Sequence, residues 1–381
     1  MIVGVPLESS QGERRVALIP AFVPVLAKAG LEVLVQKGAG EQAGFLDTAY
    51  EQQGAKLAKD QTQIFASADV ILNVNSNSTN PALLRSGQIL LGRLNPLGTP
   101  ETAKALAGKG VTSFALELLP RITRAQPMDA LSSMATIAGY KVVLIAASAL
   151  NKIYPMMITA AGTITPAKVF VVGAGVAGLQ AIATARRLGA AVKAYDVRPA
   201  VKEQVETLEA KFVELDLETE AAETSGGYAQ AMGEEFYRRQ REMMTQVVAE
   251  SDAVITTAAV PGKKAPVLIT KEMVKGMRPG AVILDMAAET GGNCELTKPG
   301  ETIEANGVKI IGPVNLPATV PYHASQMYSK NVSEFLQNLI KDGKPSINME
   351  DQIIRDSLLT HEGEIVNAQV RELLGLEKRQ N

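Results

Sequence analysis

The segment Pro120–Ser133, "PRITRAQPMDALSS", concentrates side chains that can hold or polarise a ligand. Arg121 and Arg124 carry fixed positive charge on a planar donor fork, Asp129 offers a carboxylate, and Gln126 and Ser132 are neutral donors and acceptors. Acid–base chemistry would need a group that exchanges protons near neutral pH. Cys294 is the only cysteine and His323 and His361 the only histidines, all far along the chain from this segment. A set of positioning groups needs charge and shape alone. The bland alternative is an ion pair, Arg124 with Asp129, that secures the start of a helix.

The elements that must carry this segment come from alternating strand-like and helical runs. "MIVGVP", "LEVLVQ", "ADVILNV", "GQILLG" and "VTSFALE" read as strands in the N-terminal portion, with helical spacing over Pro20–Gly30 and Pro100–Gly110. "AKVFVVG", "AAVKAYD", "AKFVEL", "SDAVITT", "GAVILDM" and "VKIIG" do the same further along. This predicts an α/β protein with two doubly wound, Rossmann-like domains built on parallel sheets. Arg121 to about Leu150 and Pro321 to Ile340 read as helices connecting them. The expected domains are 1–120 with 342–381, and 138–320, with connecting helices over 121–137 and 321–341 and a ligand cleft between the domains.

Composition fits that fold. The chain has 381 residues, 46% hydrophobic and 20% charged, with a net charge of −2, so no basic field favours nucleic acid. A disulfide framework and a His/Cys metal cluster are excluded by the cysteine and histidine counts, and a reducing, cytosolic setting is expected. No signal peptide is read in "MIVGVP". The uncharged run Val169–Ala185 is 17 residues long, but its glycines and Gln180 suit a nucleotide fold better than a bilayer.

Within that run, Gly173-Ala174-Gly175-Val176-Ala177-Gly178 follows the strand "VFVV" and opens the helix "LQAIATARRLGA". A lone GxGxxG is a weak signal. Here the next strand ends in Asp196, 18 residues beyond Gly178. The first glycine permits a tight turn, the second lets backbone approach a pyrophosphate, and the third brings helix close to strand. The helix N-terminus adds N–H donors and positive potential. A carboxylate at Asp196 suits a free adenosine ribose and repels a 2′-phosphate, which favours NAD(H) over NADP(H). Arg198, two residues on, could stack near adenine, stand in solvent, or draw a 2′-phosphate. Between two later strands, Asp216–Ser251 is long and polar, and Gly226-Gly227 before Tyr228 reads equally as the hinge of a closing lid or as the lead-in to a surface helix.

Several stretches together resemble one family, the soluble NAD(H)-binding domain I of proton-translocating NAD(P) transhydrogenase. They are "GERRVALIP", "LELLPRITRAQPMDALSS", "AGYKVV", "YPMMITAAGT", "GVAGLQAIATARRLGA", "DVRPAVKEQVE", "ETSGGYAQAMGEEF", "TTAAVPGKKAPVLIT" and "GGNCEL", spanning nearly the whole chain. The related alanine dehydrogenases resemble it in fold and in "ERRVA", where Arg15 falls on a position that anchors a substrate carboxylate. They use a lysine and a histidine in segments where this chain has Asn73 and Asn75, and Asn95. Asparagine orients a ligand but exchanges no proton near neutral pH, so amino-acid oxidation is not expected and Arg15 reads as a structural remnant.

The resemblance implies direct hydride exchange between NADH bound here and NADP⁺ bound on a partner domain. That step requires near-attack geometry of about 3–3.5 Å and excluded water, with no acid or base. Arg121 and Asp129 would hold the nicotinamide carboxamide, Ser132 would add a hydroxyl, and Gln126 would face the partner's NADP(H). Val197, Gly227, Tyr228, Gln240 and Ala259 would surround the bound NAD(H), with Gly173, Gly175, Val176, Ala177, Gly178, Asp196 and Arg198. Pro127 stands where the family pattern has serine, which stiffens the loop. The chain is expected to be a separate subunit on the cytoplasmic face of the membrane, held by NADP(H)-binding and proton-channel subunits, and a homodimer. The competing readings are an alanine dehydrogenase and a non-catalytic NAD(H) sensor.

Overall fold

The computed structural model describes residues 1–75, 79–214, 234–259 and 262–377. The chain divides into two compact units, Met1–Met134 with Pro317–Asn381, and Ala135–Leu316. Each is an α/β unit around its own sheet.

The first sheet runs, in spatial order, Glu364–Ile365, Leu358–His361, Thr112–Ala115, Ile89–Gly92, Val70–Leu72, Ile2–Val5, Glu32–Gln36 and Lys56–Ala58. Its inner strands Val70–Leu72, Ile89–Gly92 and Thr112–Ala115 are buried along their whole length, as parallel strands covered on both faces must be. This mainly parallel sheet is mixed at one edge. Leu358–His361 pairs antiparallel with Thr112–Ala115 and with Glu364–Ile365.

The second sheet runs Lys211–Phe212, Ala191–Tyr195, Lys168–Val172, Ala253–Thr256, Val282–Asp285, Val308–Ile311 and Thr302–Ala305. All neighbours are parallel except the last pair. After Lys168–Val172 the chain builds outward to one side, then returns to lay Ala253–Thr256 on the other. That reversal creates a switch point at the carboxyl ends of these two strands, where open α/β sheets bind ligands.

The antiparallel edges share a local cause. Asn306-Gly307 and Glu362-Gly363 each adopt positive φ at both positions, 54° and 75°, and 50° and 80°. Such pairs form tight turns whose twist matches that of the flanking strands, so each edge strand folds straight back.

Arg121 does not start a helix. A 3-10 turn covers Thr123–Met128 and the α-helix begins at Ala130, running to Ala149. Pro127, inside the turn, has no N–H to donate, and Asp129 lies between the two elements. Ala130–Ala149 is, among the described residues, the one helix long and apolar enough to cross a membrane by length and composition. Its Val142, Val143 and Ala146 are fully buried in the second unit's core. The other expected helix forms as Pro321–Leu339. It packs within the first unit, where Ser325 and Ser329 accept hydrogen bonds from the backbone of Val16 and Ile19.

Candidate functional site

The dinucleotide turn is built as its glycines suggest. Gly173 has φ +100°, and a Cβ there would lie 2.4 Å from Thr257 Oγ1, so both its backbone and its surroundings require glycine. A Cβ on Gly178 would fall 1.8 Å from the Gly173 carbonyl oxygen, the close helix–strand approach that fixes the third glycine. A Cβ on Gly175 would meet nothing within 4 Å. The second glycine is therefore not required by packing, and the open space over it suits a ligand brought against the backbone. The helix that follows, Val176–Arg187, starts at Gly175 with no side chain capping it. Its first N–H groups and positive dipole end are left for a ligand. These residues fit a pyrophosphate-bearing nucleotide.

Asp196 lies beside the turn and is only 9% exposed. Its Oδ2 accepts from Ala174 N at 2.7 Å and from Arg198 Nη2 at 3.0 Å. Its Oδ1 accepts from Arg198 N and from Arg198 Nε, each at 2.9 Å. Arg198 thus does not stand free in solvent. It grips the carboxylate expected to receive a ribose. Next to it, Gln240 is fully buried and donates to Tyr195 Oη at 2.8 Å, while its own Oε1 has no partner among the described residues. Val197 is half-buried, and Val176 and Ala259 are exposed. Gly227 and Tyr228 lie outside the described residues.

The wall opposite the glycine turn is the segment after Ala253–Thr256. Thr257 Oγ1 donates toward the carbonyls of Val172 and Gly173 at 3.3 and 3.1 Å. The Ala258 amide donates to Asn293 Oδ1 at 3.0 Å. Asp285, fully buried, accepts from Thr256 Oγ1, Ala287 N, Cys294 N and Thr297 Oγ1. Burial pushes the Cys294 thiol up to about 11, with the nearby Asp285 carboxylate adding to the shift.

In the first unit, Asp129 and Ser132 come together. Asp129 Oδ1 accepts from Ser132 N at 2.9 Å and Oδ2 from Ser132 Oγ, which makes Asp129 the N-cap of the helix Ala130–Ala149. The suggested Arg124–Asp129 pair does not form. Arg124 instead makes a two-pronged ion pair with Asp351, which also caps the helix Gln352–Ser357. Arg124 is satisfied by a residue 227 positions away, and this leaves Asp129 to its capping role. The turn between is held from behind. Ala125 and Met128 are buried and Asn331 donates to the Pro127 carbonyl at 2.8 Å, while Arg121 and Gln126 are exposed.

Arg15 is fully buried and bonded through Nε and Nη2 to the equally buried Glu13, at 2.7 and 2.6 Å. Asn73 is also buried, with Nδ2 donating to the Asn75 carbonyl and to Thr79 Oγ1. Asn95 takes φ +50° and its amide donates to Glu117.

Two family models match the chain: "Alanine dehydrogenase/PNT, N-terminal domain" over residues 4–138 and "Alanine dehydrogenase/PNT, C-terminal domain" over residues 142–368. The chain belongs to the alanine dehydrogenase/PNT family. Within this family it is 46% identical over 376 residues to an NAD(P) transhydrogenase subunit alpha polypeptide of Rhodospirillum rubrum, covering 96% of this chain and 98% of that one. A solved transhydrogenase structure from Sinorhizobium meliloti is similar at a TM-score of 0.84 and 40% identity, covering 97% of this chain and 100% of the other. Alanine dehydrogenase of Mycobacterium tuberculosis is 30% identical over 390 residues, covering 99% and 97%. The two-unit α/β architecture is that of the family.

Proposed function

We propose that this chain is the NAD(H)-binding subunit of a proton-translocating NAD(P) transhydrogenase. In this reading it passes hydride directly between NADH and NADP⁺ held on a partner domain, and a membrane subunit couples the transfer to proton movement. The observation that carries it is the turn at Gly173, Gly175 and Gly178, closed by packing at the first and third glycines and open at the second. The high identity to a transhydrogenase alpha subunit supports the choice within the family.

Bound NADH supplies the hydride. The chain's residues bind and orient it: the helix N-terminus at Gly175 faces the pyrophosphate, and Asp196 serves the ribose once Arg198 yields. Arg121, Gln126, Asp129 and Ser132 act as positioners, Arg121 and Asp129 toward the nicotinamide and Gln126 toward the NADP(H) of the partner. Asp129 reaches Ser132 as a helix cap, so its carboxylate is held in one orientation. The expected domain limits, 1–120 with 342–381 and 138–320, stand as part of this reading.

We further read the chain as a homodimer on the cytoplasmic face of the membrane. The support is a two-stranded hairpin, Met157–Thr159 with Gly162–Ile164, too small to be stable alone in water. Met156 is 60% exposed and Ile158 80%. Beside it lies an open groove of about 750 Å³ in which Leu150, Ile153, Tyr154 and Pro155 line the wall together with Asn151, Lys152 and Arg187. A hairpin with exposed apolar side chains beside a groove of mixed lining is what a two-fold interface between copies would use.

Mixing the chain with NADH and a separately made NADP⁺-binding partner tests the function. Hydride exchange that requires both proteins is expected. Alanine-dependent NADH formation by the chain alone would make it a dehydrogenase, and tight NADH binding without exchange would make it a sensor. Asn73 and Asn75, and Asn95, in the segments where the alanine dehydrogenases use a lysine and a histidine, weigh against the first of these.

A further inference from the structure

Asn293 is fully buried, carries no charge, and has no part in the chemistry described above. Its side chain nevertheless spends every hydrogen-bonding group on one segment. Oδ1 accepts from Ala258 N at 3.0 Å, and Nδ2 donates to Ala258 O at 2.8 Å and Pro266 O at 2.9 Å. Binding both the N–H and the carbonyl of one residue imitates a strand partner and fixes the orientation of the peptides on either side of Ala258. The Asn293 carbonyl completes the hold, accepting from Leu268 N and Ile269 N at 2.8 and 2.9 Å.

What this holds is the wall of the nucleotide turn. Ala258 N lies 3.3 Å from where a Cβ on Gly173 would stand, and Thr257 caps the Val172 and Gly173 carbonyls. Ala259, next along, is exposed. Asn293 is itself fixed by its neighbour Cys294, whose amide donates to the buried Asp285 at 2.9 Å, and Asp285 accepts in turn from Thr256 at the end of the strand that leads to Ala258. The contacts form a closed loop: Thr256, Asp285, Cys294, Asn293, Ala258.

We propose that Asn293 is a positioning residue for NAD(H): it sets the distance between the Thr257–Ala259 wall and the glycine turn, so that the gap over Gly175 matches a dinucleotide. The inference rests on the reading of the second unit as an NAD(H) site. A buried amide that merely stabilised the core would lower affinity only in step with stability. A positioning amide lowers affinity beyond that, because a wall displaced by a few tenths of an ångström misplaces the ligand while the fold survives.

The test compares the full-length chain with Asn293→Ala and with Val308→Ala, a cavity made in the buried strand Val308–Ile311. Melting temperature, NADH affinity by fluorescence titration, and hydrogen exchange of the peptide around Ala258 are measured on each. Asn293→Ala is expected to raise the NADH dissociation constant on the order of tenfold, since it frees the Ala258 peptide groups and the Pro266 carbonyl from their half-buried hold. Exchange at Ala258 is expected to quicken without general unfolding. Val308→Ala is expected to lower the melting temperature and leave NADH affinity unchanged. Equal affinity losses in the two variants at equal melting temperature, or faster exchange at Ala258 with unchanged affinity, would overturn the proposal. Failure of the unaltered chain to bind NADH would overturn the site reading and this inference together.

Discussion

Asp196 and Arg198 form a closed pair in which the arginine fork occupies carboxylate positions that a ribose would need. Their side chains are 6% and 13% exposed, so water screens the pair little. Ligand binding at Asp196 is then an exchange of partners. Arg198→Ala is expected to tighten NADH binding about three- to tenfold and to increase discrimination against NADPH, because the positive charge that offsets Asp196 is gone. Asp196→Ala should chiefly weaken NADH. Titration of both nucleotides against both variants checks this, and weaker NADH binding in Arg198→Ala would make the arginine a direct ligand contact.

Arg121 is exposed on a turn pinned by Ala125, Met128 and Asn331, so its removal should leave the fold intact. Arg121→Ala is expected to slow hydride exchange with the partner roughly 10- to 100-fold while NADH affinity changes less than about threefold. Single-turnover rates beside equilibrium titration separate the two. Equal losses would reduce the arginine to a binding residue.

A Cβ on Gly139 would fall 2.2 Å from the Ala177 carbonyl oxygen and 3.0 Å from Gln180 Cβ. Neither is a flexible side-chain end. Gly139→Ala is expected to cost about 1–3 kcal/mol of stability through overpacking, and to weaken NADH binding because the neighbour that must move is the first turn of the nucleotide helix. Denaturant melts and NADH titration report the two effects, and an unchanged melt would show that the helices can part freely.

Ile158→Asp puts a charge at the most exposed apolar side chain of the hairpin. It is expected to shift the chain from dimer to monomer at micromolar concentration in light-scattering measurements, with NADH affinity retained. A dimer that persists unchanged would move the interface elsewhere.

Cys294 is 1% exposed and its thiol is pushed by burial up to about 11. At pH 7.5 the thiolate fraction is then roughly one in several thousand, and solvent cannot reach it. The native chain is expected to resist a thiol-reactive dye through pH 8 and to react once denatured. Its stability should depend little on this group up to about pH 8, since the folded thiol stays protonated throughout and the unfolded one is still largely so.

Most inner strands of both sheets were legible because each is a short, mainly apolar run, and the nucleotide turn because strand, glycines, helix and acid follow in order. The strands Lys56–Ala58, Thr302–Ala305, Leu358–His361 and Glu364–Ile365 were not read, although Asn306-Gly307 and Glu362-Gly363 signalled two of their turns. They are short and half polar, and periodicity says little over four residues. The hydrogen-bond and ion-pair partners of the candidate site residues were much less legible. Arg124 and Asp351 are separated by 227 positions, and Asn293 reaches Ala258 across 35, so only the folded chain brings each pair together. Nearness in sequence misled at Asp129, which turned from the adjacent arginine to the helix it caps.

The burial of the sole thiol makes the protein a ready background for site-specific chemistry. A cysteine introduced at the exposed Gln126 would be the one thiol open to a thiol-directed cross-linking reagent under native conditions. Whatever it captured would be a neighbour of that turn, with no need to remove Cys294 or disturb the buried Asp285 network around it.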